Sequence, residues 1–189
     1  MNLRRLGTAA AITMSLGLGL ATAGTAQAST SRPANYFTSN ITYVFHSWSP
    51  QIGDGCLDDS NTGANGSDNL RTFSCNGQSY QEWKVLDFSN GWAQLQNQAT
   101  GRCLDYSPGL LRTYPCNGPS FDNWYQAWTV VNRFSSSGAY EQVIKSGYAS
   151  AGNGNICLDA SNLGTRGYAC NGASQDSGFQ GWTLDEIDN

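Results

Sequence analysis

Cys103-Leu104-Asp105, then Arg112-Thr113-Tyr114-Pro115-Cys116-Asn117-Gly118, then Gln126-Ala127-Trp128 is the stretch that decides the fold, because the chain carries it three times. Upstream stand Cys56-Leu57-Asp58, Arg71-Thr72-Phe73-Ser74-Cys75-Asn76-Gly77 and Gln81-Glu82-Trp83. Downstream stand Cys157-Leu158-Asp159, Arg166-Gly167-Tyr168-Ala169-Cys170-Asn171-Gly172 and Gln180-Gly181-Trp182. The period is roughly 50 residues, the length of one supersecondary unit repeated around or along an axis. Four landmarks in one order do not recur three times by chance.

The repeat also orders the cysteines. Six follow the N-terminal segment, an even number that in an oxidising compartment predicts disulfides. Counting alone leaves 15 pairings open. Each unit, however, holds two cysteines, 19 apart in the first and 13 apart in the others. Pairing within units gives Cys56–Cys75, Cys103–Cys116 and Cys157–Cys170, each bridge contributing on the order of 3 kcal/mol in the chain-entropy model. Clustered cysteines also suggest zinc, but the chain has no C-x-x-C pair and its only histidine is His46. The acidic loop from Asp58 to Asn69 lacks the ligand order and terminal Glu of a calcium loop. No metal and no cofactor is expected.

Between the landmarks the chain reads as short strands. Gln81 to Leu86 and Trp92 to Gln96 flank Asp87-Phe88-Ser89-Asn90-Gly91, whose Asn-Gly predicts a hairpin turn. Ala127 to Val131 and Tyr140 to Lys145 repeat the arrangement around a serine-glycine loop. The last repeat has no following partner for Trp182-Thr183-Leu184, and the first is preceded by an unclaimed strand, Thr42 to Trp48. Pairing the two closes the units into a ring with no open end. No segment keeps the i, i+3, i+4 apolar spacing of a sustained helix. The fold class is therefore all-β.

The first 28 residues stand apart. Arg4 and Arg5 form a positive start, Leu6 to Leu20 is mostly apolar, and Ala26-Gln27-Ala28 has the small-x-small spacing of a signal-peptidase site. Residues 1–28 are read as a signal peptide for general secretion, 29–38 as a flexible lead and 39–189 as one domain. Loss of Arg4 and Arg5 moves the formal charge of −4 two units more negative, leaving Lys84 and Lys145 as the only lysines. With no basic run or stripe, nucleic acid and anionic membrane are unfavourable partners, and no membrane insertion is expected.

Three C-L-D … C-N-G … Q-x-W repeats resemble the ricin B-type, or R-type, β-trefoil lectins. The chain looks most like the small single-domain versions found as secreted actinobacterial proteins, over about residues 39 to 186. The resemblance implies a β-trefoil of three pseudo-symmetric repeats, each with its own disulfide. It implies no catalytic site, a glycan or cell-surface polysaccharide as partner, and an extracellular location.

Sugar recognition needs a carboxylate or amide for hydroxyls and an aromatic face for the ring's C–H patch. In the family the Asp of C-L-D anchors hydroxyls, and the aromatic two before the second cysteine stacks beneath the ring. By motif position these are Asp58 with Phe73, Asp105 with Tyr114, and Asp159 with Tyr168. Four before that cysteine stand Arg71, Arg112 and Arg166, which suit hydrogen bonding to a sugar and favour acidic or sulfated ligands. The other reading of each arginine is a surface ion pair with its repeat's own Asp. Gln81, Gln126 and Gln180 reach ligand in this family or bond the backbone. Tyr80, Tyr125 and Phe179 replace the amide of the galactose-binding pattern, so the sequence names no sugar.

Trp83, Trp128, Trp182, Leu57, Leu104 and Leu158 are expected in the core, Trp128 being preferred to Trp124 as the second repeat's motif tryptophan. The three Asn-Gly pairs are expected to make turns needing positive φ. A Ser–His–Asp site would have to use His46, with no nucleophile elbow in view. Up to three glycan sites are expected, on a protein acting alone or as the targeting subunit of a larger secreted assembly. The competing class is a protein-binding trefoil, a toxin-complex adaptor or protease inhibitor, that has lost sugar binding.

Overall fold

A computed structural model describes residues 32–33, 36–60, 70–107, 109–118, 123–148 and 155–187. The expected signal peptide lies outside the described residues. Among the described residues no helix is long and apolar enough to cross a membrane.

The strands are β1 (Arg32–Pro33), β2 (Thr42–Ser47), β3 (Gly55–Asp58), β4 (Arg71–Ser74), β5 (Glu82–Ser89), β6 (Trp92–Asn97) and β7 (Arg102–Ser107). They continue with β8 (Leu110–Pro115), β9 (Trp128–Phe134), β10 (Tyr140–Ser146), β11 (Ile156–Ser161), β12 (Gly164–Ala169) and β13 (Trp182–Ile187). One short helix, α1 (Gly172–Asp176), precedes β13 and is capped by the Asn171 side chain, which accepts from the Ser174 amide.

Six strands close a barrel. β2 pairs with β5, β5 with β6, β6 with β9, β9 with β10, β10 with β13, and β13 returns to β2. The closing seam runs from Trp182↔Ser47 to Ile187↔Thr42, so the last strand seals the first and the ring has no open edge. Three hairpins, β3–β4, β7–β8 and β11–β12, extend from β2, β6 and β10 and cap the barrel. This is a β-trefoil, with one barrel hairpin or seam and one cap hairpin per repeat. The disulfides are Cys56–Cys75, Cys103–Cys116 and Cys157–Cys170, one in each repeat.

Local sequence explains the turns. Asn90 (φ 53°) and Gly91 (φ 84°) both lie in the left-handed region, the geometry that matches the twist of a two-residue hairpin. The expectation for the other Asn-Gly pairs needs correction. Gly77 has positive φ, but Gly118 is not among the positive-φ glycines and Gly172 begins α1.

The core gathers at the axis. Trp83, Trp128 and Trp182 are fully buried, as are Leu57, Leu104 and Leu158. A buried indole needs a partner for its N–H, and each finds the same one. Trp83 donates to the carbonyl of Leu57 (3.0 Å), Trp128 to Leu104 (2.9 Å) and Trp182 to Leu158 (3.1 Å). The core also takes in Phe37, from the segment read as a lead, against Tyr43 and Phe45. Arg32 and Pro33 pair with Glu186 and Asp185.

Trp128→Ala should cost about 3–5 kcal/mol, since it opens a cavity and orphans the Leu104 carbonyl. Chemical denaturation of the oxidised protein measures this, and a loss below about 1 kcal/mol would show that the indole is no pillar.

Candidate functional site

The cap hairpins hold the predicted residues at one register. Asp58 faces Arg71, Asp105 faces Arg112 and Asp159 faces Arg166 across the antiparallel pairs. Two residues along, Cys56 faces Phe73, Cys103 faces Tyr114 and Cys157 faces Tyr168. Because side chains alternate along a strand, Asp, Arg, aromatic and disulfide share one face of each hairpin. The intervening residues turn inward: Leu57, Leu104 and Leu158 reach the core, and Thr72 meets Thr165 at 2.7 Å across the cap.

Each repeat then builds the same network. Arg Nε donates to Asp Oδ1 at 3.2 Å (Arg71–Asp58), 3.2 Å (Arg112–Asp105) and 3.0 Å (Arg166–Asp159). The Gln amide nitrogen donates to Asp Oδ2 at 3.0 Å from Gln81, 3.3 Å from Gln126 and 3.3 Å from Gln180. The same nitrogen bonds the carbonyl of Ser74, Pro115 or Ala169. The Gln oxygen accepts the backbone N–H of Asn76, Asn117 or Asn171. Each guanidinium lies over its aromatic ring, 4.0 Å from the Phe73 centroid, 4.4 Å from Tyr114 and 4.2 Å from Tyr168.

Of the two readings of the arginines, the geometry is that of an ion pair, but not of a surface one. The Asp side chains are at most 2% exposed, whereas Arg71, Arg112 and Arg166 are 38%, 26% and 32% exposed. The Asp residues are thus buried hubs with both oxygens engaged, and the Gln amides are buried beside them. What faces outward is an arginine plane on an aromatic ring that remains 42–43% exposed. Tyr80, Tyr125 and Phe179 act through their carbonyls, which accept the N–H of Asp59, Tyr106 and Ala160.

The motifs leave unmarked a serine two positions after each Asp: Ser60, Ser107 and Ser161. Ser60 donates both its amide (3.0 Å) and its hydroxyl to Asp58 Oδ1, and Arg71 Nη2 donates to the Ser60 hydroxyl at 2.8 Å. The available signal was the same residue type at the same offset in all three units. Asp59, in the loop considered for calcium, is committed to Thr100 and Thr113, which donate to it at 2.5 and 2.9 Å.

The environments shift the carboxyls in opposite directions. Burial is the largest influence on Asp58 and raises it, but bonds from Ser60, Arg71 and Gln81 outweigh burial and hold the group below its ordinary 3.8. At Asp105 burial prevails over Arg112 and Gln126 and pushes the carboxyl up. His46 sits beside the first disulfide, its Nε2 3.1 Å from Asp185 and its Nδ1 3.6 Å from Asp54.

A family model described as ricin-type beta-trefoil lectin domain-like matches residues 51–109. No curated protein matches the chain. Among solved structures the chain is similar to the designed threefold-symmetric protein ThreeFoil, at 22% identity and a TM-score of 0.55, covering 78% of this chain and 99% of that one. It is similar to the Polyporus squamosus lectin bound to the human-type influenza-binding epitope Neu5Acα2-6Galβ1-4GlcNAc, at 16% identity and a TM-score of 0.57, covering 78% and 49%. The Haemophilus ducreyi cytolethal distending toxin matches at 21% identity and a TM-score of 0.52, covering 77% and 84%. These likenesses establish the β-trefoil fold, and the chain spans about half the length of the Polyporus lectin.

Two predictions test the network. Arg166→Ala and Asp159→Ala should each cost about 1–3 kcal/mol, because either leaves a polar partner unsatisfied. The double-mutant cycle should return a coupling above about 0.5 kcal/mol; additive losses would show that the pair does not act as a unit. Acid titration separates the other two hubs. A depressed carboxyl contributes stability that is present above its ordinary value and lost as pH falls, so the advantage of wild type over Asp58→Asn should shrink below pH 3.8. A raised carboxyl has the reverse sign, so wild type should gain on Asp105→Asn as pH falls. Parallel slopes in the two denaturation series would contradict this assignment.

Proposed function

We propose that the protein is a carbohydrate-binding lectin with three shallow, outward-facing sites and no catalytic role. Each site presents an aromatic ring and an arginine fork, joined in the first repeat by Ser60, backed by a buried Asp–Gln hub. The observation that carries the reading is the repetition. The same exposed Arg-on-aromatic platform recurs at Phe73, Tyr114 and Tyr168, on a fold shared with a lectin whose structure holds a sialylated epitope. Threefold recurrence suits repeated binding of a polymeric glycan, where avidity compensates for weak single sites. It suits a single asymmetric active site poorly. The family likeness over residues 51–109 points the same way.

The ring and the guanidinium, rather than the carboxylate, are the groups that meet ligand. The Asp and Gln residues act as positioning residues by fixing the arginine. We further propose that residues 1–28 direct secretion and that the module works outside the cell, alone or as the targeting part of a larger assembly. The occurrence of the same fold in a bacterial toxin is consistent with the second arrangement.

The test is glycan-array binding of the oxidised domain beside a Phe73→Ala, Tyr114→Ala, Tyr168→Ala triple variant. Truncating exposed rings spares the fold, whereas removing the buried Asp hubs would confound binding with stability. Binding that falls at least tenfold in a folded variant supports the lectin reading. An array silent toward folded wild-type protein moves the assignment to a protein-binding trefoil, and binding unchanged in the variant rejects these three sites.

A further inference from the structure

The three disulfides share one setting and differ in one neighbour. In each bridge the first cysteine, Cys56, Cys103 or Cys157, is buried. The second, Cys75, Cys116 or Cys170, is partly exposed, so a reagent in solution reaches one sulfur of each pair. Across the antiparallel contact the barrel strand sets a different side chain beside each bridge. His46 faces Cys56, Gln96 faces Cys103 and Lys145 faces Cys157.

These neighbours differ in chemistry. Gln96 Nε2 lies 3.7 Å from Cys116 Sγ and donates to the Gly101 carbonyl at 2.9 Å. It brings a neutral amide, which neither takes nor gives up a proton. Lys145 lines a shallow cavity with Cys157 and Cys170 and brings an ammonium group. His46 brings an imidazole, the side chain that both accepts and donates protons near neutral pH.

The ring is held for that role. His46 Nε2 lies 3.1 Å from Asp185 Oδ2, and a carboxylate on one ring nitrogen keeps the proton there and leaves the other nitrogen as acceptor. That other nitrogen, Nδ1, lies 3.4 Å from Cys75 Sγ and 3.6 Å from Cys56 Sγ. Asp54, in the turn between β2 and β3, stands 3.6 Å from the same nitrogen and is 82% exposed. Together Asp54 and Asp185 offset the charge that the ring gains once Nδ1 takes a proton. The His46 side chain is itself 32% exposed, open to an incoming reagent.

We propose that Cys56–Cys75 is a thiol-modification site, at which His46 carries the proton for exchange with a small thiol. Nδ1 takes the proton of the incoming R–SH, and the thiolate so formed, the reactive species, attacks the exposed Cys75 sulfur. The R–S–Cys75 bond forms as the Cys75–Cys56 bond breaks. The electron pair of the broken bond leaves on Cys56 Sγ, which then receives the proton from Nδ1. The reagent sulfur is oxidised by as much as Cys56 is reduced. A second R–SH releases R–S–S–R and leaves both cysteines as thiols.

Cys75 sits within the first repeat's network. The Ser74 carbonyl before it and the Asn76 N–H after it both bond Gln81. An adduct at Cys75 therefore disturbs the hub beneath the first platform and spares the other two. That consequence for binding rests on the carbohydrate reading; the exchange chemistry does not.

The experiment exposes the folded, oxidised protein to mercaptoethanol at neutral pH. Samples are quenched with N-ethylmaleimide, and labelled and adducted cysteines are located by peptide mass spectrometry. Label on Cys56, with the adduct on Cys75, should appear about tenfold faster than opening of either other bridge. His46→Gln, which installs the residue of the second repeat, should slow the first bridge to the rate of Cys103–Cys116. His46→Lys keeps a cation without the proton acceptor and should also be slow. Neither variant should change the other two bridges, whose rates report that the fold is intact. The comparison of three bridges in wild type needs no variant, and equal rates there overturn the proposal. A first bridge as fast in either variant as in wild type overturns the role of His46, and label on Cys75 with the adduct on Cys56 overturns the direction of attack.

Discussion

A buried indole N–H bonded to a leucine carbonyl, made three times, is the contact on which the rest of this structure depends. Trp83, Trp128 and Trp182 lie on barrel strands or at their start, while Leu57, Leu104 and Leu158 lie on the cap hairpins. An indole buried without a partner is unfavourable, so each bond fixes one hairpin against the barrel at a single register. That register sets everything beyond it. With the leucine turned inward, the next residue, Asp, must turn to the opposite face, where the paired strand places Arg directly across. Core packing and surface chemistry are therefore one constraint seen from two sides.

The electrostatic consequence is an inversion of what the composition suggests. The chain is acidic overall, yet the three platforms show solvent their arginine edges and keep their carboxylates inside. Each carboxylate is tolerated because Arg and Gln satisfy both of its oxygens. The aromatic ring lies on the same strand face two residues away, so the guanidinium covers part of it without bending the hairpin. Solvent meets hydrogen-bond donors and a ring edge first. The Asp decides where the arginine stands and does not itself reach outward.

Symmetry is strict in the hairpins and loose at the junctions. Asp59 ties the first repeat to the second through Thr100 and Thr113, Trp92 packs on Trp124 in the second, and in the third the buried Glu141 pairs with Arg133. Strand register needs the same residue in every repeat, because one slip turns every side chain over. A junction only has to be filled or satisfied, so different residues serve there at small cost to the fold.

Much was legible in the chain before any coordinates. The repeated spacing of C-L-D, C-N-G and Q-x-W determined the threefold unit, the disulfide partners, the buried tryptophans and the closing pair of strands, because these follow from periodicity and from which side chains must leave water. The choice between a sugar-facing arginine and one paired with its own Asp was not legible. It depends on which face of a two-stranded ribbon each residue takes and on how deeply the carboxylate sinks, and those are properties of the assembled barrel. Phe37 entering the core from the lead segment and the close passage of Gly178 and Gly181 past Trp48 belong to the same class. Each rests on contacts between residues far apart in sequence, such as Trp48 with Gly178 and Gly181, and only closure of the ring brings such residues together.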